Sequence, residues 1–483
     1  MDLQFTKQHS VEKIGGTSMS DYQAVRDNII LKPSGGSLYR RVFVVSAYGG
    51  VTDELLEHKK SGKPGIYSLF AGSEKDESWL EALLALKDKL HGINAQLFPD
   101  RQSLNRANEF IDRRLDAAQE CLTDLQRLCR HGHFSLAEHL ATVREMLASI
   151  GEAHSAWNMA ELLQHDGVNT CFVDLSGWQT DVHIPLDDRI LRAFASIDLA
   201  TQLPIVTGYA HSEKGLMASF NRGYSEMTFS RIAVLTNAAE SVIHKEFHLS
   251  SADPRLVGGD NAVPIGRTNY DVADQLANLG MEAIHPKAAK GLRQNAIPLR
   301  IKNTFEPEHN GTLITSDYIS DTPCVEIIAG CQGIYALELF DQDMVGQIDL
   351  YDREILAALR RFKVQIVAKD MNANTITHYL ATNLKTIKRL RTVLEEIYPD
   401  AEFDQRKCAI VSAVGSDMQV TGMLAKAVTA LAEQNINVQA MHQSMRQVDM
   451  QFVVDEQDYE AAVKSLHRCL VEEHDHGSAI CAA

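Results

Sequence analysis

Apolar runs of strand length recur between stretches of helical period, and this alternation limits the folds open to the chain more than any other feature. RVFVVSA at 41–47, VNTCFVDL at 168–175, LPIVTGY at 203–209 and IPLRI at 297–301 are nearly continuous apolar segments of the kind buried on both faces. Strands of that kind require helices above and below them, so an α/β fold with a mostly parallel open sheet is expected. Between 77 and 166 the pattern changes to long helices. Leu104, Ala107, Ile111, Leu115, Ala118, Leu122 and Leu125 keep a three-to-four spacing, as do Leu136, Leu140, Val143, Leu147 and Ile150. The second of these helices is expected to run on to a cap at Gly167. The region reads as a helical subdomain inserted after the second strand.

Past Thr315 the strands become shorter and alternating. GIYALELF at 333–340, a helix to about Phe362, KVQIVAK, TITHYLA and a helix ending near Tyr398 give strand, helix, strand, strand, helix. KCAIVSAV at 407–414, a helix over 418–434, INVQAMHQ, MQFVV and a helix over 457–472 repeat that order. Two ferredoxin-like units are indicated, the second lacking a closing strand. The run CVEIIAG at 324–330 is expected to supply it, with 401–404 closing the first. Domain limits of 1–315, 332–404 and 405–483 follow.

The run VEKIGGTSMSD places Lys13 and the glycines Gly15 and Gly16 between an apolar strand and a helix. Bare backbone N–H groups, a mobile cation and a helix N-terminus together suit phosphate, although the motif alone is an ordinary turn. Ser20 and Gln23 have capping-box spacing. SAYGGVTD at 46–53 offers Ser46, Thr52 and further glycines at the carboxyl end of the second strand, where open α/β sheets bind ligands. Glu152 and Ser155 share a helix face, and a carboxylate there suits a ligand ammonium, while an isolated helical Glu is usually solvated. In FNRGYSEMTFS at 220–230, Arg222 can grip a carboxylate bidentately. Ser225 and Glu226 open the next helix, where capping is the simple reading. SSADPRL and AIHPKAAKGLR add Arg255, Lys287 and Lys290 as phosphate-facing cations; each segment alone is a loop.

A net charge of −17 over 483 residues argues against nucleic acid as the main partner, so an anionic substrate needs a local cluster of cations. The start has no apolar stretch of signal type, and a cytoplasmic protein is expected. Eight scattered cysteines without a Cys-x-x-Cys pair read as reduced thiols. No metal site is expected, and His474, Asp475 and His476 read as a frayed tail.

In this order the motifs resemble the aspartate kinase branch of the amino-acid kinase family over almost the whole chain. The family's Lys-Phe-Gly-Gly-Thr-Ser reads Lys13 to Ser18 here, and its Ser-Ala-Met-Gly-Gly-Val-Thr-Asp reads Ser46 to Asp53 with Tyr48 in the Met place. Glu152 matches the Gly-Glu motif, and Ser250 to Arg255 matches Ser-x-x-Asp-Pro-Arg. The terminal pair of units looks like ACT modules, which implies a homodimer or dimer of dimers and an amino-acid effector. The resemblance implies phosphoryl transfer from ATP with Mg²⁺ to the β-carboxylate of L-aspartate. It gives Lys13, Arg222 and Glu226 catalytic roles, and assigns Ser46, Thr52, Glu152, Arg222 and Ser225 to aspartate. Lys13, Gly15, Gly16, Ser18, Lys245, Arg255 and Lys287 would contact the nucleotide.

The chain also departs from the pattern. Tyr224 and Glu226 replace a glycine and an aspartate, His244 and Lys245 stand where Thr-Asp usually lines the nucleotide pocket, and Glu282 replaces a lysine that Lys245, Lys287 or Lys290 would have to replace in turn. These departures suggest the specialised aspartate kinases of ectoine synthesis. Another carboxylate kinase of the same fold, or a catalytically impaired amino-acid sensor, remains the alternative.

Overall fold

The computed structural model describes residues 7–32, 37–59, 61–72, 77–131, 133–179, 184–220, 223–281, 283–473 and 479. The strands up to Thr315 are β1 (Ser10–Ile14), β2 (Arg41–Val45), β3 (Thr170–Val173), β4 (Leu203–Thr207), β5 (Glu240–Lys245), β6 (Arg267–Asn269), β7 (Leu299–Asn303) and β8 (Thr312–Thr315). Two compact units form: Met1–His248 with Ile284–Ser316, and Leu249–Ala283 with Asp317–Ala483. The division places 249–283, and β6 with it, in the second unit rather than with the rest of 1–315. The cause is packing, since Leu249, Ile265, Val272 and Leu276 share a buried core with Ile327, Ala329 and Ile410.

In the first unit the strand order is β3-β4-β2-β1-β5-β7-β8. All neighbours are parallel except β7 and β8. The apolar runs become the middle of this sheet, with Val11, Phe43, Val45, Ile205, Ile243 and Leu299 fully buried. The insertion is three long helices, Ser78–Leu97, Arg101–Cys129 and Leu136–His165. Ala107, Ile111, Leu115, Ala118 and Leu122 line the buried face of the middle helix. Gly167, at φ +81°, follows the third helix in the left-handed conformation that ends it.

In the second unit, β9 (Ile327–Phe340), β10 (Gln365–Met371), β11 (Thr375–Ala381), β12 (Glu402–Val414), β13 (Ala440–Gln443) and β14 (Asp449–Asp455) form one antiparallel sheet in the order β10-β11-β9-β12-β14-β13. The run at 324–330 is not a separate strand. It opens the long β9, whose first part, Ile327–Cys331, pairs with Val414–Ile410, while Ile334–Phe340 pairs with both β11 and Cys408–Glu402. A register shift between Cys408 and Ile410 marks where these two strands pass from one module to the other. The helix expected from 418 starts only at Met423, because Gly422 turns the chain at φ +88°.

Candidate active site

The carboxyl ends of β1, β2 and β4 converge on a cavity of about 600 Å³. Gly16 closes β1, where an added Cβ would sit 2.7 Å from Ala47 O, so only glycine lets the first turn lie against the second. Ser20 ties the two turns together: its hydroxyl accepts Gly49 N–H at 2.9 Å and reaches Gly16 O at 3.2 Å. It is therefore not a helix cap; Asp21 caps the next helix by accepting Ala24 N–H. Gly50, at φ +81°, leads into the helix Val51–Leu55, which carries Thr52.

Glu152 reaches the same cavity because Gly151 brings its helix against the second turn, where a Cβ would meet the Ala47 methyl at 2.8 Å. Ser155 Oγ donates to Ser46 O at 2.8 Å and fixes that approach. Glu152 is 2% exposed. Burial pushes its pKa up to about 8, against the opposing pull of the Tyr224 hydroxyl, the Lys13 charge and the Tyr209 backbone N–H. Its Oε2 has no hydrogen-bond partner among the described residues. A buried carboxylate oxygen without a donor is costly, and it marks where a cationic ligand group belongs.

Ser46, Thr52, Glu152 and Ser225 all line the cavity, with Gly16 at its edge. Lys13, on the central strand, lies 3.9 Å from Glu226 Oε1, and Glu226 also accepts the His285 backbone N–H. Neither Ser225 nor Glu226 caps its helix, Tyr224–Leu235. Gly15 donates its N–H to His244 O. Ser18 is fully buried, its hydroxyl 3.0 Å from Thr304 Oγ1. Lys245 ends β5. Lys287 lies over the Phe220 ring at 4.8 Å and donates to Ser219 O, while Lys290 is exposed. Arg255 belongs to the second unit and chelates Asp253. Arg222 and Glu282 lie outside the described residues.

His244 does not stand free for a nucleotide. It is 5% exposed and bonded at 2.8 Å to Glu12, which Arg41 clamps at 2.6 and 3.0 Å. Burial holds the His244 pKa down, so the neutral ring donates from Nε2.

The cavity also takes residues to which the motifs assign no role. Tyr224, 3% exposed, packs edge-on against Tyr209 at 5.6 Å. Tyr48 receives a hydrogen bond from Asn158 at 3.3 Å. Asp53, His58 and Lys59 stand at the cavity wall, with His58 3.6 Å from Asp53. The basic run His58-Lys59-Lys60 just after the second turn was the one available signal for this wall.

Residues 10–303 match the amino acid kinase family, and 411–470 match the ACT domain. The chain is 55% identical to "Aspartate kinase Ask_Ect" of Stutzerimonas stutzeri over 476 residues, 98% of this chain and 100% of that one. E. coli aspartokinase III in complex with lysine and aspartate shares the fold at a TM-score of 0.72 and 20% identity, covering 96% of this chain and 100% of the other. The same enzyme in complex with aspartate and ADP gives 0.69 at 20% identity, covering 96% and 99%. The chain belongs to the amino acid kinase family. Within it, the chain falls in the aspartate kinase branch.

Proposed function

We propose that the cavity at the carboxyl ends of β1, β2 and β4 holds L-aspartate against MgATP, and that Glu152 is the group that receives the amino acid. The unpartnered Oε2 of this buried carboxylate carries the reading. A substrate ammonium donating to it offsets the cost of its burial and leaves the β-carboxylate free. Arg222 is assigned to the α-carboxylate from its place in the Asn-Arg-Gly run alone, and Ser46, Thr52 and Ser225 orient the substrate. The β-carboxylate oxygen attacks the γ-phosphorus, giving 4-phospho-L-aspartate and ADP. That carboxylate is ionised at neutral pH, so no general base is needed.

Alignment and charge neutralisation remain for the protein to supply. Lys13 and the backbone N–H of Gly16 serve the phosphates, while the Gly15 N–H is taken by His244 O; Ser18 holds that turn through Thr304, and Lys245 and Lys287 are the further nucleotide-side cations. Mg²⁺ bound with the phosphates would neutralise part of their charge, and Glu226, 3.9 Å from Lys13, would face that side of the site.

Within 1–315 the catalytic part is the first compact unit, without 249–283, and the modules 332–404 and 405–483 form the regulatory part. A cavity of about 230 Å³ lined by Thr322, Cys324, Thr421 and Lys426 supports binding of a small effector there. Lysine or threonine is the effector we assign, as lysine accompanies E. coli aspartokinase III in one of its structures. Dimerisation through the open edges at β10 and β13 would cover them. No described helix is long and apolar enough to cross a membrane, which is compatible with a cytoplasmic enzyme. The 55% identical relative named Ask_Ect supports placing the chain with the ectoine-associated aspartate kinases.

The test is MgATP-dependent ADP release with L-aspartate and with L-glutamate. Aspartate should be strongly preferred, since one more methylene pushes the carboxylate off line. Equal rates, or none with either, would overturn the reading.

A further inference from the structure

We propose that the first unit carries a second binding site, for a small dianionic oxyanion, in a cavity at the amino ends of β1, β2 and β5. It opens at the end of the sheet opposite the aspartate cavity, runs along one face as far as His244 and Lys302, and has a volume of about 340 Å³. Its wall carries four Lys and Arg side chains, Arg40, Arg41, Arg300 and Lys302, against two carboxylates, Glu12 and Glu240. Four against two leaves two positive charges, in a chain whose net charge is −17. A local field of the opposite sign to the whole molecule is what concentrates an anion at one place.

Both carboxylates are already engaged. Glu12 receives Arg41 at 2.6 and 3.0 Å and His244 at 2.8 Å, and Glu240 receives Arg300 Nε at 2.8 Å. Lys302, 8% exposed, has its pKa held down by burial and by the charge of Arg300, against the opposing pull of Glu12 and Glu240, with Arg41 adding a smaller push. An anion between these groups converts that repulsion into attraction.

The backbone supplies a second, independent sign. Arg40 stands at φ +61°, in the left-handed region that non-glycine residues seldom occupy. Two main-chain bonds hold it there, from its N–H to Leu199 O at 2.7 Å and from Ser10 N–H to its own carbonyl at 3.0 Å. The result is a guanidinium presented at the cavity with the neutral amide of Gln8 as its hydrogen-bond partner. Strained backbone that presents a charged group is characteristic of ligand sites, and paired guanidinium forks suit phosphate or carboxylate oxygens.

The experiment is isothermal titration calorimetry on the full chain carrying Lys13→Ala, which weakens phosphate binding at the glycine turns. Inorganic phosphate and succinate are titrated at constant ionic strength, with chloride as the reference. One saturable site per chain is expected, weakened at least tenfold by Arg300→Ala and by Arg40→Ala. A tenfold preference for phosphate identifies a phosphate site, and equal affinities identify a site for dianions of either kind. Should Arg300→Ala fail to fold by circular dichroism, the exposed Arg40→Ala carries the same comparison. Absence of saturable binding, or binding that both substitutions leave intact, would overturn the proposal.

Discussion

Lys13 Nζ lies 3.9 Å from Glu226 Oε1, so the central cation of the glycine turn is already held by a carboxylate before any nucleotide arrives. Phosphate oxygens would share that ammonium with Glu226, since a lysine carries three N–H donors. Lys13→Ala should lower kcat by about 100-fold or more, the scale of removing a charged transition-state contact. The melting temperature should change little, because Glu226 keeps the His285 N–H. Steady-state kinetics and thermal melting check both halves, and an active variant would make the turn structural.

Glu152, with its pKa near 8, is largely protonated at neutral pH in the free protein. Only the ionised form receives an ammonium fully, so KM for aspartate should fall as pH rises towards 8 and then level off. Glu152→Gln should raise KM about tenfold or more, as expected for a charge-assisted hydrogen bond, and abolish this pH dependence. Stability moves the other way. The folded protein holds a proton that the unfolded carboxyl, near 4.5, has lost, so this group's contribution falls as pH rises from about 4.5 to about 8. Melting curves of ligand-free wild type and Glu152→Gln across that window test the sign. A wild type that gains stability relative to the variant would contradict it.

The strands at 41–47 and 203–209 were legible because burial on both faces leaves only apolar residues in them. β5 was not legible: ESVIHK carries Glu240 and His244 because that face meets charged residues from β1 and β7. Glu12 and His244 are 232 positions apart, and no local pattern announces such a pair. The glycine turns were legible for a steric reason that the 2.7 Å approach at Gly16 makes concrete. Glu152 could be named but its burial could not, since that depends on Gly151 and Gly208 admitting neighbouring atoms. Ser20 has the spacing of a cap yet joins two turns, a tertiary use that local spacing does not reveal. Tyr224 stood out only as a departure from a family glycine, and its hydroxyl acts on Glu152.

Burial alone would raise the pKa of Glu12, but the charge of Arg41 and the bonds from His244 and Arg41 outweigh it and hold the carboxyl well below the usual range. A depressed folded pKa stabilises the protein above the unfolded value, near 4.5, and that contribution is lost as pH falls below it. Glu12→Gln leaves Arg41 buried with only the Ile29 and Ile30 carbonyls. The cost should be about 3–5 kcal/mol at pH 7, the range for breaking a buried pair. Urea unfolding at pH 7 and at pH 4 checks it, and the gap between variant and wild type should narrow in acid. A gap that stays constant would mean that Glu12 contributes by packing rather than by charge.

A chain cut after Thr315 should be poorly soluble, because the cut separates two parts of one core. Leu249, Ile265, Val272, Leu276 and Leu279 remain in such a fragment, while Ile327, Ala329, Ile410 and Val453, which bury them, are removed. The segment that carries them belongs to the second compact unit although it precedes Thr315 in the chain. An exposed apolar surface of that kind drives association without a defined stoichiometry. The full chain should sediment as a discrete dimer or dimer of dimers, and the fragment as a broad distribution of larger species. A fragment that sediments as one sharp species would show that 249–283 finds its cover within the catalytic unit, and that the two units are separable at Thr315 after all.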